Sequence, residues 1–552
     1  MTTGQISPAA AAIFVVLIAI TLYITYWAGK RNKSAASHLV ASGQISGKQN
    51  GVAIAGDFIS AATFLGITGA IALGGLNGVN TGFFLAAYIP IAYLLAMLLV
   101  AEPLRNLGHF TLGDVLATRF SSNSVRGAIA TSSILLSLIY IAAQFVAAAS
   151  LLSLLFGLPY WGAAMLIGLL TMIYTLFGGM LATTYIQIVK TGILLFCGAL
   201  LLVLVMMKYG FNPLTLFQKA DQLFGTDNAL ANPAAPAGPA NGPLPKLATS
   251  PIHPAAAVAQ WDNFSQTLGL TLGVLGLPHV MIRFLTVRNS NSARTSAVTA
   301  IWIFACFLIT LPVLGFGASL LVPRNKIGAG GTLAMPKLSF ELGGDLLLAF
   351  VSAVTFATIL AALSGLVIAT SGAVSHDIYG KLIKGGQVAP DRQLFVARMA
   401  TVGAVVVSFL IAIPLQTINI AFFAGLAIAI AASSNLPALL YTMYWKKATA
   451  PGLAIGMWSG LAVSVGMILL SKTVPWFASN PASAPVQLTN PSVISIPAGF
   501  IVMAIACLAT QPKDADATEA AARYERVRFQ SITGIDPSDP DSVPPGMRVA
   551  AH

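Results

Sequence analysis

The sequence predicts an all-α, polytopic membrane protein of about 13 transmembrane helices, built from two inverted five-helix repeats with a broken first helix in each. Three observations lead to this fold class. The composition is that of a membrane protein, many apolar stretches are long enough to cross a bilayer as helices, and two of these stretches, five spans apart, are interrupted by glycine.

The composition requires a lipid environment. Hydrophobic residues make up 57% of the chain and charged residues only 8%, against roughly 25% charged residues in a soluble protein. The formal net charge of +12 raises the question of a nucleic-acid partner. Because the basic residues are spread over short loops and do not gather on one face, the sequence predicts a lipid bilayer and no nucleic acid as partner.

The chain contains thirteen stretches that can form membrane-spanning helices of about 20 residues. They lie near residues 8–29, 50–75, 82–100, 127–155, 160–177, 184–207, 266–286, 297–322, 346–374, 399–415, 418–444, 453–470 and 493–509. The first stretch has no basic residue ahead of it and carries Tyr23, Tyr26 and Trp27 at its end. We therefore predict a retained helix and not a cleaved signal peptide.

The positions of Lys and Arg predict the orientation, because basic loops stay on the cytoplasmic side of a membrane. Most of the 29 Lys and Arg residues, Lys190 and Arg283 among them, fall on one side if the amino terminus lies outside. An odd number of helices then places the carboxyl terminus in the cytoplasm. The predicted location is the plasma (inner) membrane.

Two regions outside the spans divide the chain. Residues 232–245 form a Pro/Ala/Gly-rich run that cannot build a packed core, so an extended, mobile external loop is predicted around it. The C-terminal tail is polar, and its stretch 517–528 is predicted to form a short helix. The resulting units are 1–49 (first helix and a cytoplasmic loop), 50–207 (repeat one, spans two to six), 208–265 (external loop), 266–444 (repeat two, spans seven to eleven), 445–511 (two C-terminal spans) and 512–552 (cytoplasmic tail).

The sequence does not support an enzyme or a primary pump. Residues 43–49 resemble a phosphate-binding loop, but the spacing between the glycines is one residue short, and Gln49 stands where the motif requires Ser or Thr. No soluble stretch of about 100 residues can house a nucleotide site. What remains is transport, with no organic cofactor.

The segment 50–75 has the features of a solute site inside a membrane. Asp57 lies within it, and a carboxylate in hydrocarbon persists only when it faces protein, water or a bound ion. Ser60 and Thr63 add hydroxyl groups among glycines that permit the helix to unwind. The alternative for these glycines is close packing between helices.

A second interrupted helix is predicted in the span 266–286. It contains Gly269, Gly273, Gly276 and Pro278. In a secondary transporter, helices that break at mid-membrane expose free N–H and carbonyl groups, which can hold an anion and a cation. Two such helices five spans apart predict an inverted five-helix repeat.

Five motifs resemble the sodium:solute symporter family, and more narrowly its acetate permease branch, the cation/acetate symporters. They are FTLGDVLATRF at 110–120, FGGMLATTYIQIVK at 177–190, GLPHVMIRF at 276–284, SHDIY at 375–379 and RYERVRFQSITG at 523–534. The likeness runs from about residue 8 to the tail. It implies thirteen helices, a ten-helix core formed by spans two to eleven, and coupled uptake of a short monocarboxylate.

The resemblance also implies a cation site between the first and eighth core helices. One half falls on the carbonyls of Gly56 and Ile59. The other half falls on Thr358, Ala361 and Ala362, where the family offers a carbonyl followed by two hydroxyl side chains, and here both hydroxyls are missing. Another hydroxyl three residues further along, that of Ser364, replaces them only if the helix shifts by about 4.5 Å.

The coupling ion therefore stays open between Na⁺ and H⁺. Asp57 could ligate sodium directly or carry a proton, and the alternative is that it pairs with a loop base at the cytoplasmic end. The predicted cation-binding residues are Gly56, Asp57, Ile59, Thr358, Ala361 and Ser364.

A carboxylate substrate is best held by free backbone N–H groups and the positive ends of half-helices. The predicted substrate-binding residues are Ser60, Thr63, Phe64, Gly66, Gln144 and Asn435. Gln144 and Asn435 lie inside long apolar runs, so each either hydrogen-bonds the solute or ties two helices together. His279 either relays protons or bonds a carbonyl freed at the second break.

The predicted function is secondary active, cation-coupled uptake of acetate and similar short-chain monocarboxylates. One alternative is a symporter for another small organic solute such as pyruvate or lactate, coupled to protons in place of sodium. A more remote alternative is a membrane sensor on a transporter fold, for which the tail 512–552 is too short to hold a kinase domain. The sequence leaves the stoichiometry and the oligomeric state open.

Overall fold

The structure, a computed structural model, describes residues 12–16, 19–20, 23, 45–108, 111–177, 180–224, 254–328, 330–416, 418–477, 480 and 483–536. Within these residues the protein is a bundle of helices. The α-helices are α1 (Gly47–Phe58), α2 (Thr68–Ala96), α3 (Glu102–Leu107), α4 (Leu112–Ala117), α5 (Asn123–Phe156), α6 (Tyr160–Phe177), α7 (Met180–Lys208), α8 (Pro213–Phe224), α9 (Pro254–Gly273), α10 (Pro278–Leu285), α11 (Ser290–Leu308), α12 (Thr310–Leu321), α13 (Arg324–Ile327), α14 (Ala334–Gly372), α15 (Pro390–Ala412), α16 (Ile420–Ser433), α17 (Asn435–Tyr444), α18 (Ala450–Leu469), α19 (Ser492–Ala509) and α20 (Asp514–Thr533). Three π-helices (Ala62–Ile67, Met97–Ala101 and Ala373–Ile383) and two 3-10 helices (Val274–Gly276 and Pro475–Phe477) complete them.

The described helices agree with an all-α, multi-pass membrane protein. Ten of them are long and apolar enough to cross a bilayer, and the bent pair Gly47–Phe58 and Ala62–Leu73 forms an eleventh span. The apolar helix Tyr160–Leu176 is slightly shorter and matches the predicted span 160–177. The first predicted span, 8–29, lies mostly outside the described residues. The predicted spans two and three share the helical element α2.

The structure corrects the predicted external loop 208–265 at both ends. Helix α8 occupies its beginning and α9 begins at Pro254, well before the predicted span. Each helix starts with proline, whose fixed φ suits the first helical position although it disfavours a helix interior. Leu216 and Ala220 of α8 are buried, so this helix packs against the bundle. The Pro-rich run at 232–245 lies outside the described residues.

The first broken helix is interrupted between α1 and the π-helix Ala62–Ile67, and its two halves are bent by 49°. The Ser60 N–H donates to the Phe58 carbonyl at 2.8 Å. In a regular helix its acceptor is the Gly56 carbonyl, four residues back, so the break releases that carbonyl. The predicted interruption of this span is confirmed.

The second predicted interruption is also confirmed. Helix α9 tightens into the 3-10 turn Val274–Gly276, Leu277 is extended with φ −76° and ψ 118°, and α10 begins at Pro278. Asn50 on α1 connects the two broken helices, because its side-chain amide donates to the Arg283 carbonyl at 3.0 Å. The two halves of the predicted repeat therefore meet through their broken helices.

Helix α14 is the long span opposite the first break. It bends near its amino-terminal end, where Gly343 and Gly344 leave helical geometry and Gly344 has φ +63°, a conformation that glycine adopts readily. Helix α14 packs against α1, α5 and α7, and α10 packs against both α1 and α14. Helices α1, α7, α10 and α14 thereby enclose the region around Asp57.

The predicted helix in the tail, 517–528, is confirmed and is longer than expected. Helix α20 begins at Asp514 and ends at Thr533, followed by Gly534 with φ +73°. A glycine in this left-handed conformation is a common helix terminator. Tyr524 and Val527 are buried against the bundle, so the tail helix is docked on it.

Candidate functional site

The centre of the site is a buried ion pair between the two broken helices. Asp57, 8% exposed, lies near the end of α1, and its Oδ2 accepts a hydrogen bond from Nε of Arg283 on α10. Gln187 on α7 donates through its amide to the other carboxylate oxygen. Arg283 also donates from Nη1 to Thr184 Oγ1 at 2.7 Å. The partner of Asp57 is thus Arg283, a base near the end of the predicted span 266–286 and only 1% exposed.

A buried lysine lies one helical turn beyond Gln187. The ammonium of Lys190 donates to the Gly56 carbonyl on α1 and to the Thr358 carbonyl on α14, the latter at 3.3 Å. Lys190 is only 4% exposed. Because the Gly56 carbonyl is released by the helix break, the lysine satisfies an acceptor that the helix itself does not. The side chain therefore links α1, α7 and α14.

Two of the residues predicted for the cation site contact this ammonium. Gly56 and Thr358 provide the two carbonyls that it bonds, and Ile59 lies at the break and is fully buried. The hydroxyl of Thr358 donates to the Val354 carbonyl at 2.7 Å, inside its own helix. Ser364 likewise donates to the Ala361 carbonyl at 2.8 Å.

A small cavity adjoins the first break. Its volume is about 10 Å³, roughly what one water molecule needs. It is lined by Phe58, Ala62, Thr63, Ile67, Tyr88, Tyr140, Leu270, Ala421, Ala424 and Ile428. The lining residues are aromatic or aliphatic apart from Thr63, and Thr63 and the two tyrosines carry hydroxyl groups. Mostly apolar walls with a few polar residues are typical of sites for small molecules.

Polar groups converge on the break beside this cavity. Ser60 accepts a hydrogen bond from the Gln144 amide at 3.4 Å. The ring of His279 packs edge-on against Tyr140, with ring centroids 5.4 Å apart. Among the described residues, Gln144 Oε1 and His279 Nδ1 are buried without a hydrogen-bond partner. Such atoms are available to a solute or a water molecule.

Among the other residues predicted to bind substrate, Thr63 lines the cavity and donates to the Phe58 carbonyl at 2.8 Å. Phe64 is fully buried against Phe307, with ring centroids 6.0 Å apart. A Cβ on Gly66 would lie 2.7 Å from the Ala421 nitrogen, so this glycine permits close packing. Asn435 donates to the Gly276 carbonyl at 2.9 Å and thus ties α17 to the second break.

Lys190, Arg283 and Gln187 were not predicted as site residues. The two bases were counted among those on the cytoplasmic side. Both lie inside apolar stretches, 184–207 and 266–286, and the criterion applied to Asp57, an ionisable residue within a span, identifies them as well. Gln187 gives no comparable signal in the sequence.

A second polar cluster lies at the far end of α14. Asp114, His376 and Asp377 bring potential metal-ligating atoms within 4.8 Å of one another. Arg126 Nη1 donates to both carboxylates, at 3.1 Å to Asp114 and 2.7 Å to Asp377. Burial opposes ionisation of Asp114, but hydrogen bonds and charges from His376 and Arg126 hold its pKa well below the usual range. Because Arg126 on α5 bonds both Asp114 on α4 and Asp377 just beyond α14, we assign this cluster to joining these elements.

Two broken helices that meet at a buried charge cluster, beside a small cavity, define a secondary transporter. The family profile described as "Sodium:solute symporter family" matches residues 38–460. The chain belongs to this family, which confirms the prediction of a multi-pass membrane transporter that is not an enzyme.

Two curated relatives cover nearly the whole chain. One is the "Uncharacterized symporter YwcA" of Bacillus subtilis, 40% identical over 534 residues, which are 95% of this chain and 98% of that protein. The other is the "Monocarboxylic acid transporter" of Corynebacterium glutamicum, 39% identical over 539 residues, 95% of this chain and 94% of that protein.

Solved structures support the same fold. A Na⁺-coupled sialic acid symporter, in a substrate-bound outward-open state, matches with a TM-score of 0.69 at 17% identity, over 92% of this chain and 98% of that one. Mhp1, a transporter of the nucleobase-cation-symport-1 family in a closed conformation, matches with a TM-score of 0.50 at 13% identity, over 89% and 99%. At these identities the likeness concerns the fold alone.

Proposed function

We propose that this protein is a cation-coupled symporter for the uptake of acetate and similar short-chain monocarboxylates. The observation that carries the proposal is the small cavity at the first helix break, next to the buried cluster of Asp57, Arg283 and Lys190. The 39% identical relative named a monocarboxylic acid transporter agrees with this substrate class.

The charges of the site favour an anionic solute. Asp57 and Arg283 neutralise each other as a pair, so a protonated Lys190 leaves the region with one uncompensated positive charge. A buried charge is costly unless it is paired, and one carboxylate balances it. The second half of the broken helix begins beside the cavity, and the positive end of a helix dipole favours an anion there.

The dimensions of the site favour a small solute. A cavity of about 10 Å³ holds little more than one water molecule, so the lining side chains must move to admit any substrate. Acetate requires less movement than pyruvate or lactate. The methyl group of acetate suits the apolar wall of Leu270, Ala424 and Ile428.

The test is uptake of radiolabelled acetate into proteoliposomes, with an imposed sodium gradient and separately with an imposed proton gradient. Acetic acid crosses bilayers unaided, so protein-free vesicles provide the baseline. We expect uptake above this baseline, competition by propionate, and weaker competition by pyruvate and lactate. Acetate uptake no faster than in protein-free vesicles under either gradient would refute the substrate assignment.

A variant links the activity to the cavity. Thr63→Val removes a hydroxyl that lines the cavity, and we expect it to raise the acetate concentration needed for half-maximal uptake. Thr533→Val, at an exposed position on the tail helix, is the matched control and should transport as the wild type does. Equal effects of the two substitutions would speak against the cavity as the substrate site.

The orientation is a further part of this proposal. We place the amino terminus outside and the carboxyl terminus in the cytoplasm, because most Lys and Arg residues then face the cytoplasm. Reporter fusions at the two ends of the chain test it, and a carboxyl-terminal reporter active only outside the cytoplasm would reverse the assignment.

A further inference from the structure

We infer that Lys190 is a cation tethered at the coupling site, and that reversible protonation of its amine couples transport to protons in place of sodium. This inference rests on the proposed symport function and names its driving ion. It goes beyond the family assignment, because it concerns a lysine that lies in α7 and reaches across the first helix break.

The geometry around the ammonium is that of a cation site. Two backbone carbonyls, from Gly56 on α1 and Thr358 on α14, converge on Nζ from two different helices. The Gly56 carbonyl is available only because the helix breaks after Phe58 and the Ser60 N–H bonds elsewhere. Carbonyl oxygens at a broken helix are the groups with which transporters coordinate monovalent cations. Here a side chain of the protein supplies the cation.

The surrounding residues offer few further oxygens for a free ion. Ala361 and Ala362 on α14 have no side-chain oxygen, so the two positions where the resemblance implies hydroxyl ligands supply none. Hard cations such as Mg²⁺ and Ca²⁺ require several oxygen ligands, and we apply the same requirement to Na⁺. An ammonium needs only acceptors for its N–H groups, and this site provides them.

The charged groups around Lys190 allow the net charge of the site to change by one unit during the transport cycle. Helix α1 contributes Asp57 and α10 contributes Arg283, and both act electrostatically on the lysine. Helix α14 faces it near Thr358 with uncharged residues, and α12, also packed on α7, has no ionisable side chain. Since the Asp57–Arg283 pair is neutral overall, protonation of Lys190 changes the site from neutral to +1.

The proposed cycle balances atoms and charge. From the outer side, the neutral amine takes up one proton and becomes an ammonium, which bonds the two carbonyls and joins α1 to α14. The positive charge then favours one carboxylate in the cavity. On the inner side the ammonium releases its proton and the carboxylate leaves, which restores the amine. One proton and one monocarboxylate cross together, with no net charge moved.

The experiment compares two transport modes of the purified full-length protein in proteoliposomes. The first is net acetate uptake driven by an inward proton gradient in sodium-free buffer, and the second is exchange of external labelled acetate for internal acetate. Lys190→Arg keeps a permanent charge and cannot release its proton. We expect it to retain exchange but to lose net uptake to the level of protein-free vesicles.

Further arms decide between the outcomes. Lys208→Arg, an exposed position on the same helix, is the control and should keep both modes. In the wild type, a sodium gradient at constant pH should add nothing to the initial rate. Sodium-stimulated uptake, or proton-driven net uptake retained in Lys190→Arg, would overturn the inference. Absence of acetate exchange in the wild type would instead refute the proposed substrate. If the Lys190→Arg protein elutes as an aggregate, Lys190→Gln replaces it. This variant should lose proton-driven net uptake.

Discussion

Asp57 on α1 and Arg283 on α10 join the two broken helices of the bundle through a buried ion pair. These helices come from the two predicted repeats, and the same pair contacts Gln187 and Thr184 on α7. Breaking one member of a buried pair is costly because its partner is left charged and unpaired. The pair therefore fixes the relative positions of the helices that enclose the cavity.

Removing one charge of this pair should destabilise the protein strongly. We expect Asp57→Asn to lower the free energy of unfolding by about 3–5 kcal/mol, and the double variant Asp57→Asn/Arg283→Gln to lose less than the single variant. Thermal unfolding of the detergent-solubilised protein measures this. The control is Arg294→Gln, which removes the exposed ion pair with Glu102 at 3.9 Å. We expect it to lower the free energy of unfolding by less than about 1 kcal/mol. A double variant less stable than Asp57→Asn would contradict this role of the pair.

The size of the cavity should set the substrate range. Leu270→Ala enlarges the cavity, so we expect butyrate to compete better with acetate, whereas Ala424→Leu fills it and should abolish acetate uptake. Competition assays with acids of increasing chain length measure the shift. Leu410→Ala changes a side chain on the surface of the bundle, 59% exposed, and should leave the order of substrates unaltered. An unchanged order in Leu270→Ala would place the substrate elsewhere.

A tethered cation should be replaceable by a free one. Lys190→Ala leaves the carbonyls of Gly56 and Thr358 without their ammonium donor, and we expect proton-driven acetate uptake to be lost. Methylammonium added to both sides of the membrane is small enough to enter the vacated space, and it should restore part of the exchange activity. Acetate exchange at increasing methylammonium concentration is the measurement. Tetramethylammonium, which has no N–H group, is the matched control and should not restore exchange.

The guanidinium of Arg119 should stabilise the end of α17 and the connection from α17 to α18. It donates to the carbonyls of Tyr441, Thr442, Trp445, Lys446 and Ala448. Burial lowers the pKa of Arg119 to about 10, so it stays charged at neutral pH. We expect Arg119→Lys to cost at least about 1.5–3 kcal/mol, because an ammonium cannot reach all five acceptors. Thermal unfolding tests this against Arg523→Lys, a partly exposed arginine of the tail helix, which should be nearly neutral.

The Asp114 cluster should make stability depend on acid pH. The pKa of Asp114 is depressed by His376 and Arg126 in spite of burial, so its ionised form is favoured in the folded state. This contribution is present above the unfolded-state pKa of about 3.9 and is lost as the pH falls below it. Unfolding temperatures from pH 7 downwards should therefore converge for the wild type and Asp114→Asn. Asp516→Asn, on the exposed face of α20, should follow the wild type at every pH.

Most of the fold follows from local sequence, because hydropathy and helix-breaking residues act over one helical turn or one span. The stretches around α5, α7, α16, α18 and α19 are apolar over the length of a bilayer and were predicted within a few residues. Pro278 and the glycines before it marked the second break. The loop 208–265 was predicted from its Pro-rich run alone, whereas helices α8 and α9 occupy its two ends.

The site was predictable only in part. Gly56, Asp57, Ser60 and Thr63 were predicted as site residues because an acid, hydroxyls and glycines lie in one apolar segment. The sequence did not indicate that Gln144 would reach Ser60, or that Phe64 and Gly66 would serve packing. These outcomes depend on which face of a helix meets which neighbour, and in a chain that is apolar on nearly every face the hydrophobic pattern does not specify this.

The sequence by itself determined the membrane environment, the all-helical class and the two places where helices break, since each is a property of neighbouring residues. Only the tertiary structure decided the partners of the buried charges. Lys190 meets Gly56 and Thr358 across 134 and 168 residues of sequence, and Asp57 meets Arg283 across 226. Such pairings arise because burying a charge in an apolar bundle is costly, so each charged group must find a compensating one wherever the packing of helices places it.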